Sequence, residues 1–497
     1  MTLFTNVKWV AFSQLSKIGC QLLGMLIFSR FLSAKEFGIM SMALVVVNFA
    51  NIIRDLGVSS AIIQLKTLNQ KLISSVFFLN LFFGFILLFS IFFFADDISC
   101  FFNESKLTDV LMLIAFSFPI ASITSTHLSL MERESKFNSI AKVEIFSSIT
   151  ALILGVFVSY IGGGVYSLVT QTLAYSSLSA IGLFFYTRWI PSAYFSFAEV
   201  RGIFKFTSNL VLFNFVNYFS RNSDQIIIGR FFSSTILGQY SLAYRIMLFP
   251  IQNITFVLTR SLFPLLSRNQ SNSQYSLSLY LHVLKTLAIV IPPLMVGIAV
   301  VSDDFVKVVL GEKWNGVAIL ILYLAPTAIL QSFISTTGSV FMAQGRTNTL
   351  FQLSLFNAFL QVGAFILGAT VSVVFIIKLY FIANLVIFFP NIYFAMRLLG
   401  GKWRDFLFIS YKPLLSVLLM LVLLLFLKGY LNTITTFPSL RLAILVFLGG
   451  VSYIGFLSLL ERKKPLEIIK DLRICKIYKQ GLISWLLLNL FDYFINI

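Results

Sequence analysis

The sequence predicts an all-α, polytopic integral membrane protein with about fourteen transmembrane helices. Three observations carry this. Of 497 residues, 58% are hydrophobic and 11% charged, with a mean hydropathy of +0.92, where an ordinary soluble domain is about a quarter charged. The apolar residues, 56 phenylalanines among them, fall in continuous runs such as Val417–Leu427 rather than in the alternating ten-residue segments of a transmembrane barrel. The net charge of +18 is spread unevenly between alternate loops, as expected of a chain whose cytoplasmic loops collect Lys and Arg.

With about 20 mostly apolar residues per span, the first helix runs near Val7–Leu32 and carries Lys8, Gln14, Lys17 and Gln21. Spans follow near Phe37–Ile53, Ile73–Ala95, Val110–Leu130, Ile140–Ile161 and Val165–Tyr186. A second set lies near Phe206–Phe231, Leu237–Leu262, Thr286–Ser302, Val317–Met342, Leu350–Thr370 and Phe375–Met396, and two more near Pro413–Phe426 and Leu440–Leu460. Pro119, Pro250, Pro326, Pro390 and the Pro292-Pro293 pair fall inside or near the ends of spans, where each frees a carbonyl and kinks its helix. Glu461–Gln480 is strongly basic and Leu482–Ile497 apolar, which reads as an interfacial helix or a solvated tail.

With the N-terminus inside, 25 of the 37 Lys and Arg, counting those at span ends, belong to the inner side and nine to the outer side, and Lys17, Arg221 and Arg245 remain in the interior of spans. This predicts a multi-pass protein with both termini cytoplasmic. Outer loops carry Asp96 and Asp97, then Asp303 and Asp304, and none is long enough to fold as a domain. Cys20, Cys100 and Cys475 are too dispersed for a disulfide framework or a cysteine metal site, and His127 and His282 do not suggest a metal centre or triad. The default for His127 is a polar residue at the interface. No phosphate-binding glycine loop or cleaved signal peptide is seen, so no cofactor is expected and nucleic acid is not a partner.

The chain repeats itself at an offset of 200. Arg30, Phe31, Ser33, Gly38, Ser41 and Ala43 match Arg230, Phe231, Ser233, Gly238, Ser241 and Ala243. Each copy lies at the turn between the first two helices of a six-helix set. The expected domains are therefore residues 1–200, residues 201–400 and a C-terminal part, residues 401–497. Such tandem copies are related by a pseudo-twofold along the membrane normal, a plan that places substrate near the midplane. The same offset aligns two polar stripes. Gln14, Lys17, Gln21 and Gly24 share a face of the first helix, and Asn214, Asn217, Arg221 and Asp224 share one on the seventh. A mid-membrane charge costs at least about 2.5 kcal/mol and usually faces protein or a water-filled cavity. Lys17, Gln21, Asn214, Asn217, Arg221, Asp224 and Arg245 are thus the candidate cavity residues. Asn48, Asn51 and Asp55 form a further stripe on the second helix. Asp224 and Asp55 are the candidate coupling carboxylates, with neutralisation of Arg221 the first reading for Asp224. Interhelical glue is the competing reading for the amides.

Around these positions the sequence resembles a known family. Asp224-Gln-Ile-Ile-Ile-Gly-Arg-Phe231, Leu237-Gly-Gln-Tyr-Ser-Leu-Ala-Tyr-Arg245, Pro250-Ile-Gln-Asn253 and Arg260-Ser-Leu-Phe-Pro264 look like the bacterial polysaccharide transporter or O-antigen flippase family, notably exporters of colanic acid and teichuronic acid type. Phe37-Gly38, Met42-Ala-Leu-Val45, the stretch Asp55–Gln64 and Leu310-Gly-Glu-Lys-Trp314 agree. The resemblance spans most of residues 1–400. It implies the multidrug/oligosaccharidyl-lipid/polysaccharide exporter superfamily, with two six-helix lobes in a V around a central cavity and two extra helices. It implies a polyprenyl-diphosphate-linked oligosaccharide, undecaprenyl in bacteria, moved from the inner to the outer leaflet of the cytoplasmic membrane. Lys17, Arg221 and Arg245 then match basic cavity positions. Membrane lipid, the polysaccharide polymerase and the chain-length machinery are candidate partners. A drug or cation antiporter of the same superfamily is the alternative, although it calls for acidic rather than basic stripes. A membrane polymerase or ligase would need a sizeable outer catalytic loop, so the chain is not expected to be an enzyme.

Overall fold

The computed structural model describes residues 3–55, 69–197 and 221–462, together with Ile62, Phe215, Tyr218, Phe219 and Glu467. The described residues are helices and their connections. Among the described residues twelve helical segments are long and apolar enough to cross a membrane, so the protein is a multi-pass membrane protein. The first helix, α1 (Leu3–Phe31), is not one of these twelve, and residues 221–231 are helical at the end of the seventh expected span. The expected C-terminal interfacial helix lies outside the described residues. The chain divides into two compact units, Met1–Gly238 and Gln239–Ile497.

The first unit contains α1, α2 (Ala34–Asp55), α3 (Gln70–Phe102), α4 (Lys106–Ala115), α5 (Ser117–Arg133), α6 (Phe137–Tyr160) and α7 (Tyr166–Thr187). The fourth expected span is one membrane-crossing segment, Lys106–Arg133, interrupted for a single residue at Phe116, whose backbone stays in the right-handed helical region. Pro119 has no N–H for the carbonyl four residues back, which is that of Ala115, and the interruption falls at Phe116 just beyond it. α3 approaches this break closely through Gly84, where a Cβ would lie 2.6 Å from Ser122 Oγ and 3.0 Å from Pro119 Cα. The chain after α7 is strapped to the start of α3. Trp189 Nε1 donates to Gln70 Oε1 at 2.8 Å, and the backbone N–H groups of Ser192 and Ser196 donate to the hydroxyls of Ser74 and Ser75 at 2.9 and 3.0 Å. Backbone donors without a helical partner are satisfied this way.

The repeated motif has a repeated structure. α1 ends at Phe31 and α2 starts at Ala34; 200 residues later one helix ends at Phe231 and α8 (Ser234–Arg268) starts. The Leu32 N–H donates to Phe28 O at 2.8 Å, and the Phe232 N–H to Ile228 O at 3.0 Å. Ser33 and Ser233 occupy equivalent N-terminal capping positions, their hydroxyls accepting from Glu36 N–H at 3.4 Å and Ile236 N–H at 3.3 Å. Only the first copy adds a returning carboxylate, Glu36, which accepts from Ser33 N–H at 2.7 Å. Ser41, Ala43, Ser241 and Ala243 are buried, and Arg30, Phe31, Arg230 and Phe231 are exposed. A Cβ on Gly38 would collide with the carbonyl oxygen of Ser234, and one on Gly238 with that of Ala34. Glu104 lies beside this contact, accepting from Ser234 Oγ at 2.7 Å and pairing with Lys35 Nζ at 3.2 Å.

The second unit contains the rest of α8, then α9 (Ser273–Val300), a short α10 (Ser302–Phe305), α11 (Asn315–Ala343), α12 (Thr347–Ala369), α13 (Val373–Leu398), α14 (Trp403–Ile434) and α15 (Pro438–Glu461). Leu310–Trp314 forms a tight turn in which Gly311 has φ of 103° and Trp314 is fully buried as the anchor. α14 and α15 form a core with α9 that includes Ile289, Val417, Met420, Leu424, Leu445 and Leu457. They are pinned at both ends. Lys428 Nζ meets Asp303 Oδ2 at 3.0 Å, Arg441 pairs with the buried Asp304, and Lys285 Nζ meets Glu461 Oε1 at 3.1 Å. Tyr453 OH donates to Ile289 O at 2.6 Å.

Candidate substrate-binding site

α1 exposes two opposite faces. At about 100° per residue, Gln14, Lys17 and Gln21 cluster on one side, and Phe12, Leu15 and Leu23 on the other. Gln14 and Gln21 are exposed, Lys17 is half-buried, and Phe12, Leu15 and Leu23 are exposed. An apolar face is at home against acyl chains. An amide face at the same depth requires water or polar groups. Between the two, Ser13 and Gly24 are buried, and a Cβ on Gly24 would lie 3.2 Å from Leu152 on α6.

Lys17 is not the lone cation that the polar stripe alone suggests. Its Nζ lies 2.5 Å from Oε1 of Glu144 on α6, and the other oxygen of Glu144 accepts from Ser13 Oγ at 2.5 Å. Glu144, near the start of the fifth expected span, is the partner of a candidate site residue. The signal that could have found it is that it is the one carboxylate in the fifth span.

Arg221 is exposed, while Asp224, one turn on, is 2% exposed and its Oδ1 accepts from the Gln225 N–H at 2.7 Å. Just before Arg221, Phe215 and Phe219 pack on Phe49 of α2 with ring centroids 5.4 and 5.1 Å away. Tyr218 OH donates to Val45 O at 2.5 Å. This aromatic anchor seats the segment on α2, and sequence reasoning passed over it because single aromatics in an apolar run carry no pattern. Arg245 is exposed on α8, and Asn48 is exposed on α2. Asp55 is the last residue of α2, with its side chain outside the described residues, as are Asn214 and Asn217 entirely.

His127 is not at an exposed interface. It is 1% exposed and ringed by Phe77, Phe184 and Trp189, with centroids at 6.4, 5.5 and 5.6 Å. Neighbouring elements supply the aromatic walls, Phe77 from α3, Phe184 from α7 and Trp189 from the chain just after it, so the imidazole packs as one more ring.

A family model described as polysaccharide biosynthesis protein matches residues 27–319. Lipopolysaccharide biosynthesis protein WzxC of Escherichia coli K12 is 26% identical over 417 residues, covering 82% of this chain and 84% of the relative. Teichuronic acid biosynthesis protein TuaB of Bacillus subtilis 168 is 27% identical over 351 residues, covering 70% and 73%. Among solved structures, lipid II flippase MurJ in an inward closed conformation aligns with a TM-score of 0.75 at 18% identity, over 92% of this chain and 99% of that one. A multidrug resistance MATE family transporter in an inward-facing conformation aligns with a TM-score of 0.56 at 16% identity, over 80% and 95%. At these identities the two structures speak to fold.

Proposed function

Because the chain belongs to the polysaccharide biosynthesis protein family, we propose that it is a transporter, not an enzyme, that flips a polyprenyl-diphosphate-linked oligosaccharide from the cytoplasmic to the outer leaflet of a bacterial cytoplasmic membrane. The observation that carries this is the exposed amide face of α1, Gln14 and Gln21, with Lys17 at its edge beside α6. A diphosphate crossing the bilayer needs counter-charge at depth, and ammonium and guanidinium groups supply it. The opposite apolar face of α1 suits a polyprenyl chain that never leaves lipid. The names of the relatives, lipopolysaccharide and teichuronic acid biosynthesis proteins, support the substrate class.

In this reading Lys17, Gln21, Asn214, Asn217, Arg221, Asp224 and Arg245 contact the diphosphate and proximal sugars, and Asp224 and Asp55 are the coupling carboxylates. The support is the alignment of the two stripes at an offset of 200. The repeat assigns two six-helix lobes, residues 1–200 and 201–400, which exchange access between leaflets, with residues 401–497 appended. Both termini are cytoplasmic, in keeping with the basic loops. The polymerase and chain-length machinery take up the product.

The test is reconstitution. Purified protein in proteoliposomes should move an undecaprenyl-diphosphate-linked fluorescent oligosaccharide between leaflets, and cells lacking the protein should accumulate the lipid-linked sugar and lose surface glycan. Normal surface glycan in those cells, or elongation of glycan by the purified protein, would overturn the reading.

A further inference from the structure

The ion pair between Lys17 and Glu144 asks what a carboxylate does on a cation offered to phosphate. Both residues lie within helices, at the middle of α1 and in the second turn of α6. Their side chains are 27% and 22% exposed, so the pair is desolvated but not sealed. The carboxylate is fully engaged. Oε1 faces Lys17 at 2.5 Å, Oε2 accepts from the Ser13 hydroxyl at 2.5 Å, and Ser13 is 2% exposed. Ser148 Oγ fixes the backbone beneath it, donating to Glu144 O at 2.6 Å.

We infer that Glu144 is a resident counter-ion that a substrate phosphate must displace from Lys17, and that it thereby sets which phosphates bind. The inference rests on the transport reading above. Lys17 stands where the exposed amide face of α1 meets its contact with α6, so its ammonium, on a flexible four-carbon stem, can turn from Glu144 toward a ligand over Gln14 and Gln21. Glu144 keeps the Ser13 hydrogen bond after losing its cation. The Oε1 that loses Lys17 belongs to a side chain 22% exposed and can take water in its place, so the exchange swaps one charge-assisted contact for another without sealing an unpaired charge.

The competition has a direction. A diphosphate brings more negative charge and more acceptor oxygens than one carboxylate, and wins the ammonium. A monophosphate ester is closer to Glu144 in charge, and gains less by displacing it. Glu144 therefore makes the site discriminate between polyprenyl diphosphate and polyprenyl monophosphate.

The experiment uses the full-length protein in nanodiscs, with undecaprenyl diphosphate and undecaprenyl monophosphate as probes. Glu144→Gln keeps the shape and an acceptor for Ser13 but removes the competing charge. It should tighten binding of both lipids, the monophosphate more, by at least about fivefold, the low end for coupled sites. Glu144→Asp, which shortens the reach to Lys17 by one methylene, should move affinity the same way by less. Adding Lys17→Ala to Glu144→Gln should remove the gain. Binding of the diphosphate lipid that both Glu144 variants leave unchanged or weaken overturns this inference alone. Failure of the wild-type protein to bind either lipid overturns the transport reading and this inference with it.

Discussion

Gly38 lies against the backbone carbonyl of Ser234, and the matching residue of the second copy, Gly238, lies against that of Ala34. The contact is reciprocal at the offset of 200, so it lies on the local twofold that relates the two helix starts. Here glycine is required for closeness, since the obstacle is backbone that cannot rotate away. Gly38→Ala should destabilise the protein by about 1–3 kcal/mol, the cost of overpacking a tight site. Gly297→Ala, where a Cβ meets nothing within 4 Å, should be neutral or stabilise by up to about 1 kcal/mol. Thermal unfolding of the detergent-purified variants ranks them. Equal effects at the two positions would contradict the close approach.

The two acidic neighbours at the start of α10 should behave differently. Asp304 is 2% exposed beside Arg441, so Arg441→Met leaves a buried carboxylate uncompensated and should cost about 3–5 kcal/mol. Asp303 is 61% exposed beside Lys428, and Asp303→Asn should cost under about 1 kcal/mol. Unfolding midpoints of the two variants check the order.

His127→Phe should leave both fold and transport intact. The imidazole sits among three aromatic rings, and phenylalanine fills a similar volume, a class of change that costs less than about 1.5 kcal/mol. Surface glycan in a strain carrying the variant is the readout, and its loss at normal protein level would assign the histidine a direct part in transport.

Arg221→Ala tests the cationic stripe. Arg221 is exposed, so its removal should spare the fold, and protein in the membrane should stay at the wild-type level while surface glycan disappears. Wild-type glycan would remove Arg221 from the site.

How much was legible can be judged residue by residue. The repeat was visible because Ser33, Gly38 and their counterparts do jobs that few other residues can do, capping a helix and admitting a backbone. The helix count followed from apolar runs, but the helices themselves are longer. The ninth expected span, Thr286–Ser302, is the end of a helix starting at Ser273, and Pro413–Phe426 is the middle of Trp403–Ile434. Hydropathy measures the hydrocarbon layer, whereas hydrogen bonding carries a helix on into its polar ends, as where the Lys402 N–H meets Asp405 at 2.8 Å. Pro119 was legible as a kink, and the structure shows a one-residue interruption at Phe116 within a single span. Lys17 stood out as a charge among apolar neighbours. Its partner did not, because Glu144 is more than a hundred residues away and the packing of α1 on α6 leaves no local pattern.

The attachment of α14 and α15 bears on how this chain can be cut. Their basic residues neutralise acids that belong to the preceding helices: Lys428 serves Asp303 and Arg441 serves Asp304, while Lys285 on α9 draws its own counter-ion from Glu461. A chain shortened after Gly400 would strip charge from both ends of α9 at once and bare its apolar flank. The last two helices are thus not a removable appendix, and a minimal engineered version of this protein would have to rewrite Lys285, Asp303 and Asp304 before it could dispense with them.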